Sequence, residues 1–394
     1  MIVVYYTSTF FLDLSLDVIK VLKQQVDLHV FIEVTSSSKN STVADIKEFP
    51  EGKLLATPAE VLSADSLKTL SPYFEGTAST HFVIHQHKTG FSWSTLQASL
   101  AVWKFIKPFK PAIIHFEGYT LRTVGMLPFL FSVKKVFLAL HDPVPHTGEG
   151  SWKISLPNFL FFKLPFKKYF IFYSDFARKL FIQNYPQVAA QKLLVKMQPY
   201  SYFKDQANTA PVPGSHILFF GRVSPYKGAD VLLKAMPEVF EEFPDEQLVI
   251  AGKSSNGYIL TNDLPVEHKN NITVINRYIP NDELVSLISN AKFIVCPYLD
   301  ATQSGVLMTA FALNKTVIAT SVGSFPEFIT NNLNGLLVTP ANPAALAQSI
   351  ASALRGGYYK QLEENVIAGN ARLSWQQSLT AVLNEYFNVK AGDN

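Results

Sequence analysis

Residues 216–243 read HILFFGRVSPYKGADVLLKAMPEVFEEF, an apolar run followed by a turn and an amphipathic stretch. The run predicts a buried strand, and the stretch after Gly228 predicts a helix. The alternation continues through EQLVIAGK, NITVINRYI, DELVSLISNA, KFIVCPY, GVLMTAFALN, TVIATSV and PAALAQSIASALR. Apolar strands that alternate with helices indicate a parallel sheet covered on both faces. We therefore predict a doubly wound α/β domain in this half of the chain.

The first half of the chain repeats this pattern less regularly. Its strand-like runs are MIVVYY, VDLHVFIEV, AIIHFEG, KVFLALHD and KYFIFYS, with LDVIKVLKQQ and TLQASLAVWKFIK as helical stretches. Because the chain has 394 residues and one core rarely exceeds about 250 to 300, we expect two domains. We predict domains at 1–204 and 216–370, a linker at 205–215 and a lone amphipathic helix within 371–394. Open sheets bind ligands beyond the carboxyl ends of their strands, so we expect the ligand between the domains.

Composition excludes several classes of protein. The chain is 48% hydrophobic and 16% charged, which excludes intrinsic disorder. Its one cysteine, Cys296, permits no internal disulfide and favours a reducing cytoplasm. The N-terminal residues lack the basic region of a signal peptide and predict a strand. No apolar stretch approaches the roughly 20 residues that a spanning helix needs.

The two halves of the chain carry opposite net charge. Residues 1–205 contain 22 Lys and Arg against 15 Asp and Glu, whereas residues 206–394 contain 12 against 16. A basic half favours an anionic partner, such as lipid headgroups, nucleic acid or a phosphorylated substrate. Because the sequence has neither a zinc-ligand cysteine pattern nor an RNP-like aromatic strand, we expect no nucleic-acid partner.

The turn FFGRVSPYKG contains the strongest local signal. Gly221 allows the backbone to turn sharply, and Arg222 and Lys227 bring two cations to the carboxyl end of the preceding strand. Two cations at a strand-to-helix turn suit a diphosphate, either as a ligand or as a leaving group. An exposed basic turn that binds nothing explains the same residues, and this alternative stays open.

The segment PYLDATQSGVLMTA contains a second signal. A buried strand ends just before Tyr298, and Gln303, Ser304 and Gly305 open the next helix. Free N–H groups at the start of a helix bind anions, and a glycine there permits close approach. Many helices begin with Ser-Gly and bind no ligand. The position of this helix at the same sheet edge as the basic turn favours a site.

These segments occur in an order that resembles a known family. GRVSPYKG, LVIAGKS, PYLDATQSGVLMTAFAL, VIATSVGSFPEFI and NGLLVTPANPAALAQSIASAL are similar in order and spacing to the retaining glycosyltransferases of family 4, over roughly residues 215–355. IIHFEGY, HDPVPHTGE and SDFARKL resemble that family's first domain more loosely. The resemblance implies the GT-B fold, with two Rossmann-like domains facing across a cleft that binds a nucleotide sugar. It also identifies SWQQSLTAVLNEYF with the last helix of that fold, which crosses back to the first domain.

The resemblance implies roles for residues at the family's motif positions. Arg222 and Lys227 would grip the donor diphosphate. His141 would face the transferred sugar from the first domain. Backbone amides from Ser304 to Val306 would hold a phosphate. We take Arg222, Lys227 and His141 as the candidate catalytic residues.

The same resemblance implies a wider donor-binding set. Gly252 and Lys253 would lie beneath the donor, and Arg277 with Tyr278 would meet the nucleobase. The full set is Gly221, Gly252, Lys253, Arg277, Tyr278, Tyr298, Gln303, Ser304, Gly305, Val306 and Thr309.

The sequence departs from the family at two glutamates. The first falls on Ala301 and the second on Thr309. In the family the first contacts the sugar and the second the ribose, so both contacts must differ here. The glycine pair usual after the first strand is also absent, since the chain reads YTSTFF there.

We expect neither a metal nor a cofactor other than the nucleotide sugar substrate. The sequence has no Asp-x-Asp and no HExxH, and its single cysteine ends a predicted buried strand. Arg, Lys and a helix dipole would replace the cation of metal-dependent transferases.

Residues 152–173, WKISLPNFLFFKLPFKKYFIFY, interleave aromatic and basic side chains. This composition suits a segment that lies in the interface of an anionic membrane. A core helix followed by a strand, with its lysines reaching outward, explains it as well. The candidate membrane-facing residues are Trp152, Phe162, Lys163, Phe166, Lys167 and Lys168.

The leading hypothesis is a retaining, metal-independent glycosyltransferase of hexosyltransferase type, active in polysaccharide biosynthesis. It would be cytoplasmic, peripheral on the inner face of the plasma membrane, and would move a sugar from a nucleoside diphosphate to a glycan or lipid-linked acceptor. The alternative is a non-catalytic GT-B subunit that binds a nucleotide sugar or glycan. The missing glutamates favour that alternative, and the Arg222–Lys227 pair opposes it. A peripheral membrane adaptor is a third hypothesis, which leaves the second domain unexplained.

Overall fold

The computed structural model describes residues 1–35, 43–85, 92–144, 152–206, 215–255, 258, 260 and 266–388. The chain divides into two compact units, Met1–Met197 with Ser374–Asn394, and Gln198–Leu373. The division therefore falls between Met197 and Gln198, before the segment 205–215 that the sequence suggests as a linker. Residues 207–214 of that segment lie outside the described residues.

The first unit is built on an eight-stranded sheet with the order β3-β4-β2-β1-β5-β6-β7-β8. Its strands are β1 Ile2–Ser8, β2 Asp27–Thr35, β3 Leu55–Ala56, β4 Ser79–His85, β5 Ile113–Glu117, β6 Lys135–Ala139, β7 Lys168–Phe172 and β8 Gln191–Leu194. All pairs are parallel except β3 with β4. The sequence analysis did not predict β4, whose first residues, Ser79, Thr80 and His81, are polar and only half-buried.

Helices cover the first sheet. They are α1 Leu12–Leu22, α2 Pro58–Val61, α3 Ala64–Phe74, α4 Trp93–Ile106, α5 Leu127–Leu130, α6 Trp152–Lys163 and α7 Asp175–Asn184. On α4, Ala98, Val102 and Ile106 follow the helical period and are fully buried against Val4 and Phe116 of the sheet. Complete burial of a valine or isoleucine side chain stabilises the fold by about 1.5–3 kcal/mol.

The second unit has a six-stranded parallel sheet with the order β11-β10-β9-β12-β13-β14. Its strands are β9 His216–Phe220, β10 Leu248–Ala251, β11 Ile272–Ile275, β12 Ala291–Cys296, β13 Val317–Thr320 and β14 Gly335–Val338. Its helices are α8 Ser201–Gln206, α9 Ala229–Glu242, α10 Asn281–Ser289, α11 Gly305–Ala312, α12 Phe325–Phe328, α13 Pro343–Leu354 and α14 Tyr358–Asn370. The predicted doubly wound domain is confirmed.

The C-terminal helices, α15 Trp375–Ser378 and α16 Thr380–Phe387, belong to the first unit. Tyr386 of α16 is fully buried, and its hydroxyl lies 2.5 Å from Nδ1 of His115 on β5. Lys135 of β6 also donates to the backbone oxygen of Glu385. These contacts fix the helix to one face of the first sheet.

Strand order locates a crevice at the carboxyl edge of each sheet. In the first sheet the chain order reverses between β1 and β5, and in the second it reverses between β9 and β12. Ligands of doubly wound sheets bind outside the carboxyl ends of the strands at such points. Within the described ranges, no helix is long and apolar enough to cross a membrane.

Candidate functional site

Two glycines shape the edge of the second sheet where β9 and β10 end. Gly221 and Gly252 have φ of +99° and +149°, which side-chain-bearing residues rarely adopt. The backbone oxygen of Gly221 lies 1.9 Å from where a Cβ on Gly252 would stand. Gly221 N–H donates to the backbone oxygen of Ala251 at 3.0 Å, and Val223 N–H donates to the backbone oxygen of Lys253 at the same distance. Only glycine fits this close backbone packing between the segments that follow β9 and β10.

Lys227 lies over this edge. Its side chain is only 9% exposed, and its Nζ is 3.3 Å from the position of a Cβ on Gly221 and 5.0 Å from the ring centre of Tyr298. A single 3₁₀ turn, Pro225–Lys227, carries it there and ends at Gly228, where φ is +66°. The ammonium group is therefore held at the switch point between β9 and β12.

Arg222 stands at the same turn but is exposed. Its guanidinium lies 6.0 Å from the ring centre of Tyr226, and Nη2 lies 3.4 Å from the Tyr226 hydroxyl. The turn therefore presents one fixed, buried cation and one solvent-facing cation. An exposed cation and a buried cation at one strand end suit an anionic group that enters from solvent.

Helix α11 begins beside Lys227. Val306 lies 3.1 Å from the Cβ position of Gly221, so the first turn of α11 meets the end of β9. Ser304 caps the helix, because its Oγ accepts from the N–H of Leu307 at 3.3 Å. The N–H groups of Gly305 and Val306 are first-turn donors and have no acceptor within the helix. This arrangement suits an anion.

Tyr298 and Thr320 form the floor of the site. The Thr320 hydroxyl donates to the backbone oxygen of Tyr298 at 2.5 Å, which joins β13 to the loop after β12. Tyr298 is 3% exposed, and burial raises the pKa of its phenol well above the ordinary value. Burial also raises the pKa of Cys296 to about 12, so its thiol stays protonated at neutral pH. Neither group supplies a nucleophile.

The outer part of the predicted donor set lies after the edge strand β11. Arg277 donates to Glu283 of α10 at 2.6 Å, and this hydrogen bond raises the pKa of the guanidinium. The predicted contact of Arg277 and Tyr278 with the nucleobase stays a prediction. Tyr278 is half-buried and Lys253 is exposed. Glu283 was not among the residues singled out from the sequence.

The two positions that lack the family's glutamates are both buried. Ala301 is 3% exposed, and its backbone oxygen lies 1.7 Å from where a Cβ on Gly323 would stand. Thr309 is 5% exposed and lies one turn after Gly305 on α11. Gln303 is half-buried in front of that helix. At the two glutamate positions the chain therefore has a methyl group and a hydroxyl group in place of carboxylates.

His141 lies at the switch point of the first sheet. Its Nε2 is 2.8 Å from Oε1 of Glu117, the last residue of β5. Its ring stacks on Phe11 with centres 3.9 Å apart. Sequence reasoning missed Glu117, although a carboxylate that closes the apolar run AIIHFEG is an unusual feature.

The structure corrects half of the membrane-facing set. Phe162 packs on the core and Phe166 is buried, and Lys168 donates to the carbonyls of Phe161, Phe162 and Leu164 at the end of α6. Burial lowers the pKa of Lys168 to about 8. Phe162 of α6 packs against the rings of Phe170, Phe181 and Tyr185, and Phe166 and Lys168 lie where the chain enters β7.

The other half of that set is exposed. Trp152 is 62% exposed, and Lys163 and Lys167 also face solvent. Leu156 and Phe159, at 40% and 58% exposed, complete a stripe with Trp152 and Lys163 at helical spacing. Among the residues that the structure describes, no group of three or more His, Cys, Asp or Glu side chains could hold a metal ion.

Comparison with known proteins extends these observations. Residues 214–356 match the family of glycosyl transferases group 1. The chain is 30% identical over 179 residues to an uncharacterised glycosyltransferase of Methanocaldococcus jannaschii, covering 43% of this chain and 44% of that protein. It is 28% identical over 191 residues to the D-inositol 3-phosphate glycosyltransferase of Corynebacterium glutamicum, covering 47% and 46%. The matches thus span less than half the length of these relatives.

A solved structure matches over nearly the whole chain. The Anabaena protein Alr3699/HepE, in complex with UDP, is similar with a TM-score of 0.66 at 14% identity, covering 98% of this chain and all of that one. At this identity the likeness shows the fold, which is two Rossmann-like α/β units.

Proposed function

We propose that this chain is a retaining, metal-independent glycosyltransferase. It has the GT-B fold and carries a glycosyl transferases group 1 domain over residues 214–356. It would move a hexose from a nucleoside diphosphate to a glycan or lipid-linked acceptor. The observation that carries this proposal is the buried Lys227, held beside Arg222 and the start of α11 at the switch point of the second sheet.

The geometry of that edge suits a departing diphosphate. Lys227 and the N–H groups of Gly305 and Val306 are fixed donors before any ligand arrives. Such preorganised donors stabilise charge that develops in the transition state without further rearrangement. The Anabaena neighbour has also been solved with UDP-glucose, which supports a nucleotide sugar as the donor.

In the proposed reaction the anomeric carbon exchanges one oxygen for another on the same face. Its bond to the diphosphate oxygen breaks as its bond to the acceptor oxygen forms. The hydroxyl proton of the acceptor passes to the departing diphosphate, which leaves as the nucleoside diphosphate. This route requires no carboxylate base, which fits a chain with Ala301 and Thr309 at the family's glutamate positions.

One feature favours the non-catalytic alternative. Without the two carboxylates, the site has fewer groups for the sugar and ribose, and a neutral hydrogen bond from Thr309 contributes only about 0.5–1.5 kcal/mol. A subunit that binds a nucleotide sugar without transferring it would tolerate this loss. Binding and transfer therefore have to be measured separately.

The proposed function is tested by calorimetry with UDP-, GDP- and ADP-sugars, followed by transfer assays with and without excess EDTA. We expect one nucleotide class to bind, its free diphosphate to compete nearly as well as the whole donor, and transfer to persist in EDTA because the phosphate is held by cations and amides. The product anomer, read by NMR, should match the donor. Binding without transfer supports the scaffold. Activity that EDTA abolishes and only Mn²⁺ restores contradicts the charge-pair mechanism.

We also propose that the exposed stripe of α6 lies on an anionic membrane surface, where a lipid-linked acceptor would be reached. Trp152, Leu156 and Phe159 supply apolar area, and Lys163 and Lys167 supply positive charge beside it. Aromatic side chains with flanking lysines bind the headgroup region by burial and by attraction to anionic lipid.

Replacing Lys163 and Lys167 by glutamate is expected to weaken binding to phosphatidylserine vesicles by at least about tenfold, because each basic residue near the surface contributes about 1 kcal/mol. High salt should release the wild-type protein. Vesicle sedimentation measures both effects. Lys269→Glu with Lys360→Glu, two exposed lysines of the second unit, changes the net charge by the same amount, is the matched control and should bind like wild type. If the α6 variant binds the vesicles as well as the wild-type protein does, the stripe is an ordinary solvent-exposed surface.

A further inference from the structure

Arg122 carries a guanidinium group that is anchored at one edge only. It stands in the loop after β5, and its Nε donates to Oε1 of Glu33 on β2 at 2.5 Å. The side chain of Glu33 is 2% exposed and that of Arg122 is 13% exposed. Among the residues that the structure describes, neither Nη1 nor Nη2 of Arg122 has an acceptor. Glu33 therefore fixes the guanidinium while four of its five N–H groups have no protein partner in this part of the chain.

The surroundings of Glu33 hold more hydrogen-bond donors than acceptors. Tyr6 of β1 donates to Oε2 of Glu33 at 3.3 Å, so both carboxylate oxygens are occupied. His85, the last residue of β4, is 3% exposed, and its Nε2 lies 3.8 Å from the same Oε2. Neither ring nitrogen of His85 has a hydrogen-bond partner within the described ranges. A ligand that fits the cluster of Tyr6, Glu33, His85 and Arg122 must therefore supply acceptor oxygens.

The charges of this cluster favour an anion at its outer side. Glu33 and Arg122 are the charged side chains that act on Tyr6 and His85. Burial lowers the pKa of His85, so its ring is neutral at neutral pH, and burial raises the pKa of Tyr6 well above the ordinary value, so its hydroxyl stays a donor. Because Glu33 is buried more deeply than Arg122, an anion that enters from solvent meets the cation first.

The cluster lies at the carboxyl edge of the first sheet. Glu33 pairs in register with Ser8, the last residue of β1, and Arg122 reaches Glu33 from the loop after β5. In the sheet, β1 stands between β2 and β5, so the arginine crosses the end of β1. This is the switch point between β1 and β5, where doubly wound sheets bind ligands.

The start of α4 adds positive potential beside the same loop. Gly125, three residues after Arg122, packs so closely that a Cβ there would collide with Oγ of Ser99. The backbone oxygen of Thr95, in the first turn of α4, lies 3.5 Å from the same Cβ position. The positive end of a helix dipole favours anions near its first turn. The dipole of α4 therefore acts in the same direction as the charge of Arg122.

We propose that Nη1 and Nη2 of Arg122 form an oxyanion site of the first unit, which binds a phosphate or a carboxylate group through two parallel hydrogen bonds. Arginine presents these donors in a rigid planar fork that matches both groups. All residues of the site belong to the first unit. The inference rests on the proposed function only for the molecule that carries the anion. Because the donor diphosphate is assigned to Arg222 and Lys227 of the second unit, that molecule is the acceptor.

Nitrogen-15 NMR of the arginine side chains tests binding without any transfer. Inorganic phosphate and glucuronate are titrated separately into the full chain, with glucose as the uncharged control. The signal of Arg122, identified by its absence from Arg122→Lys, should shift with phosphate, with glucuronate or with both, and not with glucose. Arg178 is the internal control, because its Nε already donates to Asp175 at 2.9 Å.

The two anions distinguish the sources of the charge. A shift with phosphate alone assigns the site to a phosphorylated acceptor, and a shift with glucuronate alone assigns it to an acidic sugar. If neither anion shifts Arg122 at a concentration below that which shifts Arg178, the inference is overturned and the arginine is an ordinary structural ion pair.

Calorimetry with the anion that binds measures the contribution of the fork. The background is Arg222→Ala with Lys227→Ala, which removes the second group of cations that could hold phosphate. We expect Arg122→Lys to weaken binding about 10- to 100-fold, because lysine keeps the charge but loses a charge-assisted hydrogen bond. Arg178→Lys makes the same change elsewhere in the first unit and should leave the affinity unchanged. Equal affinities in the two lysine variants contradict the site.

A paired variant covers the case in which Arg122→Lys does not fold. Removing one partner of a buried ion pair is strongly destabilising, whereas removing both charges is tolerated far better. Arg122→Met with Glu33→Gln should therefore fold and should not bind the anion. Binding at the wild-type affinity in this variant would overturn the inference.

The site and the proposed function can fail separately. Anion binding that depends on Arg122 in a chain that transfers no sugar supports the site and counts against the proposed function alone. Sugar transfer at the wild-type rate in Arg122→Lys, without anion binding in the wild-type chain, overturns the site alone.

Discussion

Replacing Lys227 with alanine is expected to lower the rate of sugar transfer by about 10² or more, as the loss of one preorganised charge donor does. Lys227 is 9% exposed and is held against Gly221 and Tyr298, so its ammonium is in place before the donor binds. Under the proposed function, this ammonium would stabilise the charge that grows on the departing diphosphate more than the charge of the bound donor. The measurement is kcat/KM with saturating acceptor, together with calorimetric affinity for the nucleoside diphosphate.

Two further variants make this result specific. Lys234→Ala removes an exposed lysine of α9 that pairs with Asp230 at 3.3 Å, and it should leave transfer unchanged. Arg222→Ala should cost about the same factor as Lys227→Ala, with folding preserved in both. Turnover at the wild-type rate in Lys227→Ala and Arg222→Ala would remove the diphosphate assignment and favour a scaffold.

Replacing Gly252 with alanine is expected to destabilise the chain by about 3 kcal/mol or more, among the larger effects of single substitutions. The new Cβ would stand 1.9 Å from the backbone oxygen of Gly221, at a φ of +149°. Neither side can yield, because Gly252 N–H is bonded to Ile275 at 3.0 Å and Gly221 N–H is bonded to Ala251 at 3.0 Å. The strand ends would have to separate, and donor binding should be lost with them. Urea unfolding and calorimetry measure the two losses.

Gly369→Ala is the matched control for that variant. Gly369 lies in α14, and nothing stands within 4 Å of the Cβ that alanine would add. Alanine is better than glycine by about 0.5–1 kcal/mol in a helix interior, and Gly369 is the penultimate residue of α14, so this variant should be at least as stable as wild type. A Gly252→Ala protein that unfolds at the same urea concentration as Gly369→Ala would show that the ends of β9 and β10 are not packed as described.

The class of fold and the residues at the centre of the candidate site were predictable from the amino-acid sequence. Apolar runs such as HILFF and KFIVC lie between helical stretches and predict buried strands. This prediction succeeds because the period of hydrophobicity is a local property of the chain. The turn from Gly221 to Lys227 and the start of α11 at Gly305 were likewise predictable, because each is a short motif that follows such a strand.

Which side chains contact each other depends on how the separate elements pack. Glu117 and His141 pair across two strands, and Tyr386 reaches His115 from the far end of the chain, so no local spacing encodes either contact. Arg277 pairs with Glu283 of α10, a partner that the sequence did not indicate. Phe166 and Lys168 turn inward where β7 begins, whereas Trp152 is exposed. Composition alone does not show which of these side chains are buried. In each case the deciding interaction joins separate elements, and its geometry exists only once the sheets have formed.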